Sequence, residues 1–252
     1  MVKIIAVSNH KGGVGKTTSA INIGAGLNKK GKKVLLVDLD PQANLSQSLN
    51  IEEPEYHVYG AIKGNYPLKP LEVLKNLDVI PSVSELSSAE PELTSEAGRE
   101  FIFTELLEPI ANDYEYILID CPPSLGLFTI NAFTAADEIL IPMQAQYLAL
   151  QGIGKLLALK DVIKKRLNRN LEIGGIFVTQ FDRRKVLNRY VLETIESHFN
   201  EKVFDTRIRN NVALAEAPNV GLDIFRYQEN SIGAFDYMKL TNEIIKKYNS
   251  TQ

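Results

Sequence analysis

The sequence predicts a doubly wound α/β fold, in which a mostly parallel β-sheet is flanked by helices. Seven short runs rich in Val, Ile and Leu lack the polar alternation of a half-exposed strand, which is typical of parallel strands buried on both faces. Longer segments with helical spacing lie between them, and this alternation indicates a doubly wound sheet. The predicted strands are Lys3–Ser8, Lys33–Asp38, Leu77–Ile80, Tyr116–Asp120, Glu138–Pro142, Ile173–Thr179 and Lys202–Phe204. The predicted helices are Thr17–Lys29, Glu100–Ala111, Gln151–Asn168, Val186–Phe199 and Ser231–Tyr248.

Composition predicts one globular domain over residues 1–252. Hydrophobic residues make up 44% of the chain and charged residues 23%, which is more apolar content than a disordered chain carries. The net charge of −3 excludes a molecule that is basic over its whole surface. The single cysteine, Cys121, allows no internal disulfide, and neither a signal peptide nor a membrane-spanning apolar run is recognisable. A cytoplasmic location is therefore expected.

A glycine-rich segment, residues 9–18, follows the first predicted strand and leads into the first predicted helix. Glycines let backbone N–H groups curl around phosphate oxygens, and the positive end of the helix dipole faces the same anion. We expect Lys16 to reach the β- and γ-phosphates of ATP, Thr17 to bind Mg²⁺, and Thr18 to contact the α-phosphate. The remaining candidates for phosphate contact in this loop are Gly12, Gly13, Val14 and Gly15.

The loop departs from the standard phosphate-loop pattern, because the position of its first glycine falls on His10. A second lysine, Lys11, stands at the loop entrance instead. This form, K-G-G-x-G-K-T-T, resembles the deviant Walker A box of the ParA/MinD family of ATPases, and the resemblance extends from Lys3 to about Lys247. It implies a homodimer closed around ATP, in which Lys11 crosses to the partner's phosphates and acts with Lys16 in catalysis. A cation there stabilises charge on the transferring phosphoryl group, as an arginine finger does.

Two acidic motifs match the same family. The run Asp-Leu-Asp-Pro-Gln begins at Asp38, at the end of a predicted parallel strand, where carboxylates can meet a nucleotide. The resemblance implies that Asp40 orients or activates the attacking water and that Asp38 supports the Mg²⁺ shell or the loop lysines. Tyr116–Asp120 continues into Cys-Pro-Pro-Ser, a Walker B form in which Asp120 holds the metal through its water shell. The metal-binding candidates are therefore Thr17, Asp38 and Asp120.

Charge is distributed unevenly along the chain. Between Lys155 and Arg189, ten basic and three acidic residues give a charge of +7, in a chain whose total is −3. Such asymmetry predicts one positive face on an acidic body, and lysine and arginine bind DNA phosphates without reading bases. A basic helix surface that serves only solubility is the alternative. The DNA-binding candidates are Arg183, Arg184, Lys185 and Arg189, followed by Lys164, Lys165 and Arg209.

The segment from Ile208 to Pro218 resembles the partitioning branch of the family through the spacing I-x-x-N-x-x-L-x-E-A-P. The resemblance places its backbone and Pro218 near the adenine, while an ordinary strand-to-helix turn with asparagine caps is the alternative. No helix-turn-helix extension precedes the phosphate loop, as in short chromosome-partitioning proteins of the Soj type. The redox branch needs two cysteines per chain to bridge a cluster, and Cys121 is alone. Residues Tyr237–Gln252 read as a final helix on the sheet rather than a membrane anchor.

Together, the motifs and the resemblance predict an ATPase switch for chromosome or plasmid partitioning. An ATP-bound homodimer is expected to bind non-specific DNA and to release it when a ParB-like centromere-binding partner stimulates slow hydrolysis. No stable membrane anchor is expected. Three alternatives stay open: a positioning ATPase that docks on a protein assembly, a membrane-cycling switch of the septum-placement type, and a small-molecule ligase of the dethiobiotin synthetase type.

Overall fold

The computed structural model describes residues 2–146 and 149–249, and within them eight strands form one sheet. The strands are β1 (Lys3–Val7), β2 (Val34–Asp38), β3 (Leu71–Leu74), β4 (Leu77–Ile80), β5 (Tyr116–Asp120), β6 (Glu138–Gln144), β7 (Glu172–Phe181) and β8 (Val203–Arg209). Their order across the sheet is β3–β4–β2–β5–β1–β6–β7–β8. All neighbouring pairs are parallel except β3 with β4.

Helices cover both faces of this sheet. They are α1 (Lys16–Lys29), α2 (Asn44–Ser48), α3 (Val58–Ile62), α4 (Ala89–Glu92), α5 (Ile102–Ala111), α6 (Leu127–Ala135), α7 (Ala149–Arg166), α8 (Val186–Phe199), α9 (Ala213–Glu216), α10 (Ile224–Tyr227) and α11 (Ile232–Asn249). One core cluster joins α1 and α11 to the sheet, and the other joins α5, α6, α7 and α8. The predicted doubly wound α/β fold is confirmed.

The three strands at the centre of the sheet end side by side. Every residue of β2 and β5 is buried, because their apolar side chains contact helices on both faces. In the register of the sheet, Asp120 at the end of β5 lies opposite both Val7 of β1 and Asp38 of β2. This arrangement brings the glycine loop after β1 and the two carboxylates to one edge of the sheet.

Three elements differ most from those predicted, besides the short helices α2, α9 and α10 and small shifts in the bounds of other elements. β3 is an unpredicted edge strand, joined to β4 by the turn at residues 75–76, where Asn76 has a φ of 65°; its four residues are too few to show a pattern. α6 was missed because it is buried almost all round and has no polar stripe. β8 extends to Arg209 rather than stopping at Phe204, and its second half alternates between buried and exposed residues.

The outer edge of β8 is covered by side chains of α11. The Glu243 carboxylate accepts hydrogen bonds from the backbone N–H groups of Asp205 (2.8 Å) and Thr206 (3.4 Å). Asp236, about two turns earlier on α11, accepts from the N–H of Arg209 (2.9 Å). Unpaired N–H groups on an edge strand invite pairing with another strand. These carboxylates close that edge.

The last predicted helix packs on the sheet as expected, since α11 buries Tyr237, Leu240 and Ile244 in the core. Residues 250–252, which were considered for a membrane anchor, lie outside the described part of the chain. Among the described helices, none has the length and apolar character that crossing a bilayer requires.

Candidate functional site

The loop between β1 and α1 is open to solvent at Gly12 and Gly13 and has a backbone that depends on glycine. Gly13 and Gly15 adopt left-handed φ angles of 72° and 86°, which residues with a side chain rarely adopt. A Cβ built on Gly12 or Gly13 meets no atom within 4 Å, so the space beside these residues is empty. Gly15 also serves as the N-cap of α1, which directs the positive end of the helix toward the same space.

Side chains from the ends of β6 and β7 hold the loop from behind. The Gly13 carbonyl accepts hydrogen bonds from Gln144 Nε2 (2.8 Å) and Gln180 Nε2 (3.0 Å). The Val14 carbonyl accepts one from Thr179 Oγ1 (2.8 Å). In a trans peptide the C=O and N–H point in opposite directions, so the next two N–H groups are directed away from these anchors. Sequence reasoning missed Gln144, Thr179 and Gln180, because they belong to no motif.

Lys16 is a buried cation. The residue is 7% exposed, and its Nζ lies 3.4 Å from the Lys11 carbonyl. Burial lowers the pKa of Lys16, and the nearby charge of Asp120 opposes this effect. A desolvated ammonium group gains strongly from an anion placed beside it. This lysine is therefore suited to bind a phosphate above the loop.

Thr17 and Asp120 meet at the start of α1. Thr17 Oγ1 donates a 2.6 Å hydrogen bond to Asp120 Oδ2. Asp120 is fully buried, and its Oδ1 has no hydrogen-bond partner in the described structure. Burial and the facing Asp38 raise the pKa of Asp120. An orphaned carboxylate oxygen beside a hydroxyl is the donor set that a hydrated Mg²⁺ prefers, so the residues present fit this cation.

Asp38 and Asp40 shape the segment after β2. Asp38 Oδ2 accepts hydrogen bonds from the Ser46 backbone N–H (2.9 Å) and hydroxyl (2.8 Å), and Oδ1 accepts from the Asp40 N–H (3.1 Å). Burial raises the pKa of Asp38 to about 6, although these hydrogen bonds oppose the shift. Asp40 Oδ1 accepts from the Gln42 N–H (3.0 Å). Both oxygens of Asp38 are thus already engaged in bracing the segment that carries Asp40.

A cavity of about 310 Å³ lies beside the loop, between α1, β7 and the segment after β8. Gly15, Thr18, Asn210, Asn211 and Ala215 are among its lining residues. The half-buried Pro218, expected near the adenine, lies further along in the short helical turn at residues 217–220 and is not among them. A larger open groove, about 1130 Å³, adjoins residues 41–43 and contains none of the phosphate-loop residues.

The basic candidates divide into two groups. Arg183, Arg184 and Lys185 follow the end of β7 and are exposed, with Arg189 on the first turn of α8. Lys164 and Lys165 lie at the end of α7, where Lys164 forms an ion pair with Glu172 at the start of β7. The ten residues of β7 separate these groups by roughly 30 Å at about 3.3 Å per residue. The single positive face expected from the sequence is therefore split between the two ends of β7.

Arg209 belongs with the first group. It lines a cavity of about 720 Å³ together with Arg183 and Arg184, at the same edge as the glycine loop. Its guanidinium donates to both oxygens of Asp236, with Nη2–Oδ1 at 2.6 Å, and its side chain stays 45% exposed. Part of its hydrogen-bonding capacity is thus used within the chain.

The fold and the site define the class. A glycine loop between a central parallel strand and a helix, a buried lysine at the helix start and a Thr–Asp pair beside it are the features of a P-loop nucleoside triphosphatase.

Comparison with known proteins narrows this class. The sequence model of a family described as AAA domain matches residues 2–173. The chain is 44% identical to the chromosome-partitioning ATPase Soj of Treponema pallidum, covering 98% of both proteins. It is 41% identical to the chromosome partitioning protein ParA of Myxococcus xanthus, over 97% of this chain and 88% of that protein. The chain therefore belongs to the Soj/ParA family of partitioning ATPases, which confirms the predicted resemblance.

A solved structure agrees with this assignment of fold. The cobyrinic acid a,c-diamide synthase of Mycobacterium smegmatis, with bound ADP and magnesium, superposes with a TM-score of 0.88. It is 30% identical and covers all of this chain, which in turn covers 97% of it.

Proposed function

We propose that this chain is a cytoplasmic, Mg²⁺- and ATP-dependent partitioning switch. Two ATP-bound copies form a homodimer that associates with the nucleoid by binding DNA without sequence preference. A ParB-like partner stimulates slow hydrolysis, and hydrolysis releases the DNA. The observation that carries this proposal is a buried lysine, Lys16, next to the glycine loop. Beside it, Thr17 contacts Asp120, whose Oδ1 has no hydrogen-bond partner in the described structure.

Each step relies on charge and position rather than on covalent catalysis. The directed N–H groups of the loop and the Lys16 ammonium bind the phosphates of ATP. Thr17 and Asp120 hold Mg²⁺, which would neutralise charge on the phosphate oxygens when bound. Asp38 braces the segment after β2, so that Asp40 can orient a water molecule. Lys11 of the second copy completes the charge stabilisation, which ties hydrolysis to dimerisation.

We assign the DNA-binding surface to the basic group that follows β7, at the end of the sheet where the glycine loop lies. Arg183, Arg184, Lys185 and Arg189 are exposed there, and Arg209 lies beside them. The second group, with Lys164 and Lys165, lies at the far edge of the sheet and cannot report directly on the nucleotide. Closeness to the phosphate loop favours the first group, because binding that depends on ATP has to sense the loaded site.

Co-sedimentation with DNA tests this function, using ATP, ADP and no nucleotide. The triple variant Arg183→Glu/Arg184→Glu/Arg189→Glu is expected to lose ATP-dependent binding. A matched variant at the far edge, Lys165→Glu/Arg166→Glu/Arg169→Glu, carries the same charge change and is expected to keep it. The slope of log affinity against log salt is expected to fall by roughly 0.9 for each phosphate contact removed. If ATP-loaded, dimeric wild type binds no DNA, a protein-docking or membrane-cycling switch replaces this proposal, and vesicle flotation with ATP separates those two.

A second candidate is an ATP-dependent synthase that forms amides on a small carboxylic acid. The 30% identity to a structure named as cobyrinic acid a,c-diamide synthase favours it. It predicts ATP hydrolysis stimulated by cobyrinic acid with an ammonia donor and unaffected by DNA. Stimulation by DNA alone would exclude it.

A further inference from the structure

The entrance lysine is held by its own chain. Lys11 Nζ donates a 2.6 Å hydrogen bond to Gln146 Oε1 and lies 3.5 Å from Gln144 Oε1. Gln144 is the last residue of β6, the strand next to β1 in the sheet, and Gln146 lies two residues beyond it. The ammonium group of Lys11 thus lies against side chains of its own chain, at and just beyond the end of β6.

The backbone of Lys11 is fixed independently of its side chain. Its N–H donates to Asn9 Oδ1 (3.0 Å), and Asn9 Nδ2 donates to the Pro142 carbonyl (2.8 Å). A change in what Lys11 contacts therefore needs only rotation about side-chain bonds. Exposed lysine side chains change rotamer on the picosecond to nanosecond scale.

The contacts that hold the ammonium are neutral. Gln144 and Gln146 offer amide oxygens, and no carboxylate pairs with Lys11 among the residues the structure describes. A hydrogen bond to a neutral amide near the surface contributes little net stability, whereas a phosphate offers full opposite charge. Lys11 is therefore restrained firmly enough to prefer this position and weakly enough to be captured by an anion.

Gln144 also connects Lys11 with the loop. Its Oε1 faces the ammonium, while its Nε2 donates to the Gly13 carbonyl. Because this amide has two roles, only Gln146 can be altered without disturbing the loop anchor. Gln146 is exposed and makes its described side-chain hydrogen bond to Lys11.

We propose that Gln146 is a positioning residue, which together with Gln144 holds Lys11 in a resting position until the phosphates of a second copy capture it. This inference rests on the proposed ATP-dependent homodimer. Gln146 sets the fraction of chains whose Lys11 is available, so it tunes how readily ATP drives association. The residue acts through Lys11 and touches no nucleotide itself.

Two substitutions are expected to act in opposite directions. Gln146→Ala releases Lys11 and is expected to tighten ATP-dependent dimerisation about 2- to 5-fold, as the loss of one weak hydrogen bond implies. Gln146→Glu supplies a carboxylate to the ammonium and is expected to weaken dimerisation at least as much. Sedimentation velocity with a non-hydrolysable ATP analogue measures both. Gln228→Ala, an exposed glutamine between α10 and α11, controls for loss of an amide.

A double-mutant test separates this role from a general effect on the loop. In a Lys11→Ala background, neither Gln146 substitution is expected to alter dimerisation further. Shifts of the same sign for both substitutions, or effects that persist without Lys11, would overturn the proposal.

A measurement without ATP tests the resting position directly. Acylation of the nucleotide-free protein with a succinimidyl ester, followed by mass spectrometry, reports how accessible each lysine is. The Lys11 modification rate is expected to rise about 2- to 5-fold in Gln146→Ala, with exposed Lys155 as an internal reference. An unchanged rate refutes the restraint. A raised rate in a protein that never dimerises supports the restraint and rejects the proposed function instead.

Discussion

The buried carboxylate of Asp38 gives a quantitative prediction for stability. Its pKa is raised from 3.8 to about 6, mainly by burial. A difference of about 2 pKa units corresponds to about 3 kcal/mol at 1.36 kcal/mol per unit. Because the folded state binds more protons than the unfolded state between about pH 4 and pH 6, this group lowers the free energy of unfolding as pH rises through that window. Above pH 6 the full cost is present.

Asp38→Asn removes the titration. Asparagine keeps an acceptor for Ser46 but brings an amide donor against the Asp40 N–H, which adds a penalty that does not depend on pH. The difference in unfolding free energy, variant minus wild type, is therefore expected to become at least about 3 kcal/mol more favourable between pH 4 and pH 7. The charge of Asp38 also raises the pKa of Asp120, and its loss in the variant acts in the same direction.

Urea unfolding of the protein without nucleotide and Mg²⁺, at several pH values across this range, measures the effect. The surface substitution Asp113→Asn controls for the change in net charge. A difference that stays constant with pH, or that moves in the opposite direction, would refute the assignment of a buried, protonation-prone Asp38.

Three further predictions concern the loop and the sheet edge. Thr179→Val keeps the shape of the side chain but leaves the Val14 carbonyl without its donor. We therefore expect the free energy of unfolding to fall by about 1–3 kcal/mol and a fluorescent ATP analogue to bind more weakly. Unchanged binding and stability would argue against a role for Thr179 in holding the loop. Gly13→Ala is expected to lower the free energy of unfolding, measured with urea, by about 1–2 kcal/mol, because the φ of Gly13 is 72°. Gly12→Ala, the control, is expected to be nearly neutral in the nucleotide-free protein. Equal losses of stability would contradict the role given to the φ angle. Glu243→Ala is expected to lower the free energy of unfolding by about 1–3 kcal/mol, because it removes the acceptor for N–H groups of β8. The uncovered edge is also expected to increase light scattering at high protein concentration. A variant that scatters no more than wild type would show that other groups protect this edge.

The phosphate loop could be predicted from sequence because its parts are adjacent in the chain. Lys16 and Thr17 lie in the first turn of α1, and Gly13 and Gly15 before them have the positive φ angles that favour glycine. The position of Asp120 could be predicted because a run of apolar residues ending in a carboxylate marks the end of a buried strand. Each of these signals is local, so no knowledge of the sheet order was necessary.

Contacts between distant segments could not be predicted in the same way. Gln144 and Thr179 reach the loop only because β6 and β7 follow β1 in the sheet, and nothing in their neighbourhoods marks them. Counting charges between Lys155 and Arg189 also failed to show that β7 would carry the two halves of that segment to opposite edges. The same limit applies to Ser46, whose pairing with Asp38 depends on how α2 packs after the turn.

The covered edge of β8 disfavours one kind of assembly, the addition of a strand beside β8. A sheet with free donors at its border can grow by adding strands, and such growth is self-templating and hard to reverse. Here Glu243 and Asp236 already occupy donors that an incoming strand would need. Contacts at this side of the molecule are therefore expected to run through side-chain surfaces, which a change of ligand or salt can dissolve. The reversible assembly proposed above gains from these two carboxylates of α11, because they oppose irreversible strand addition at β8.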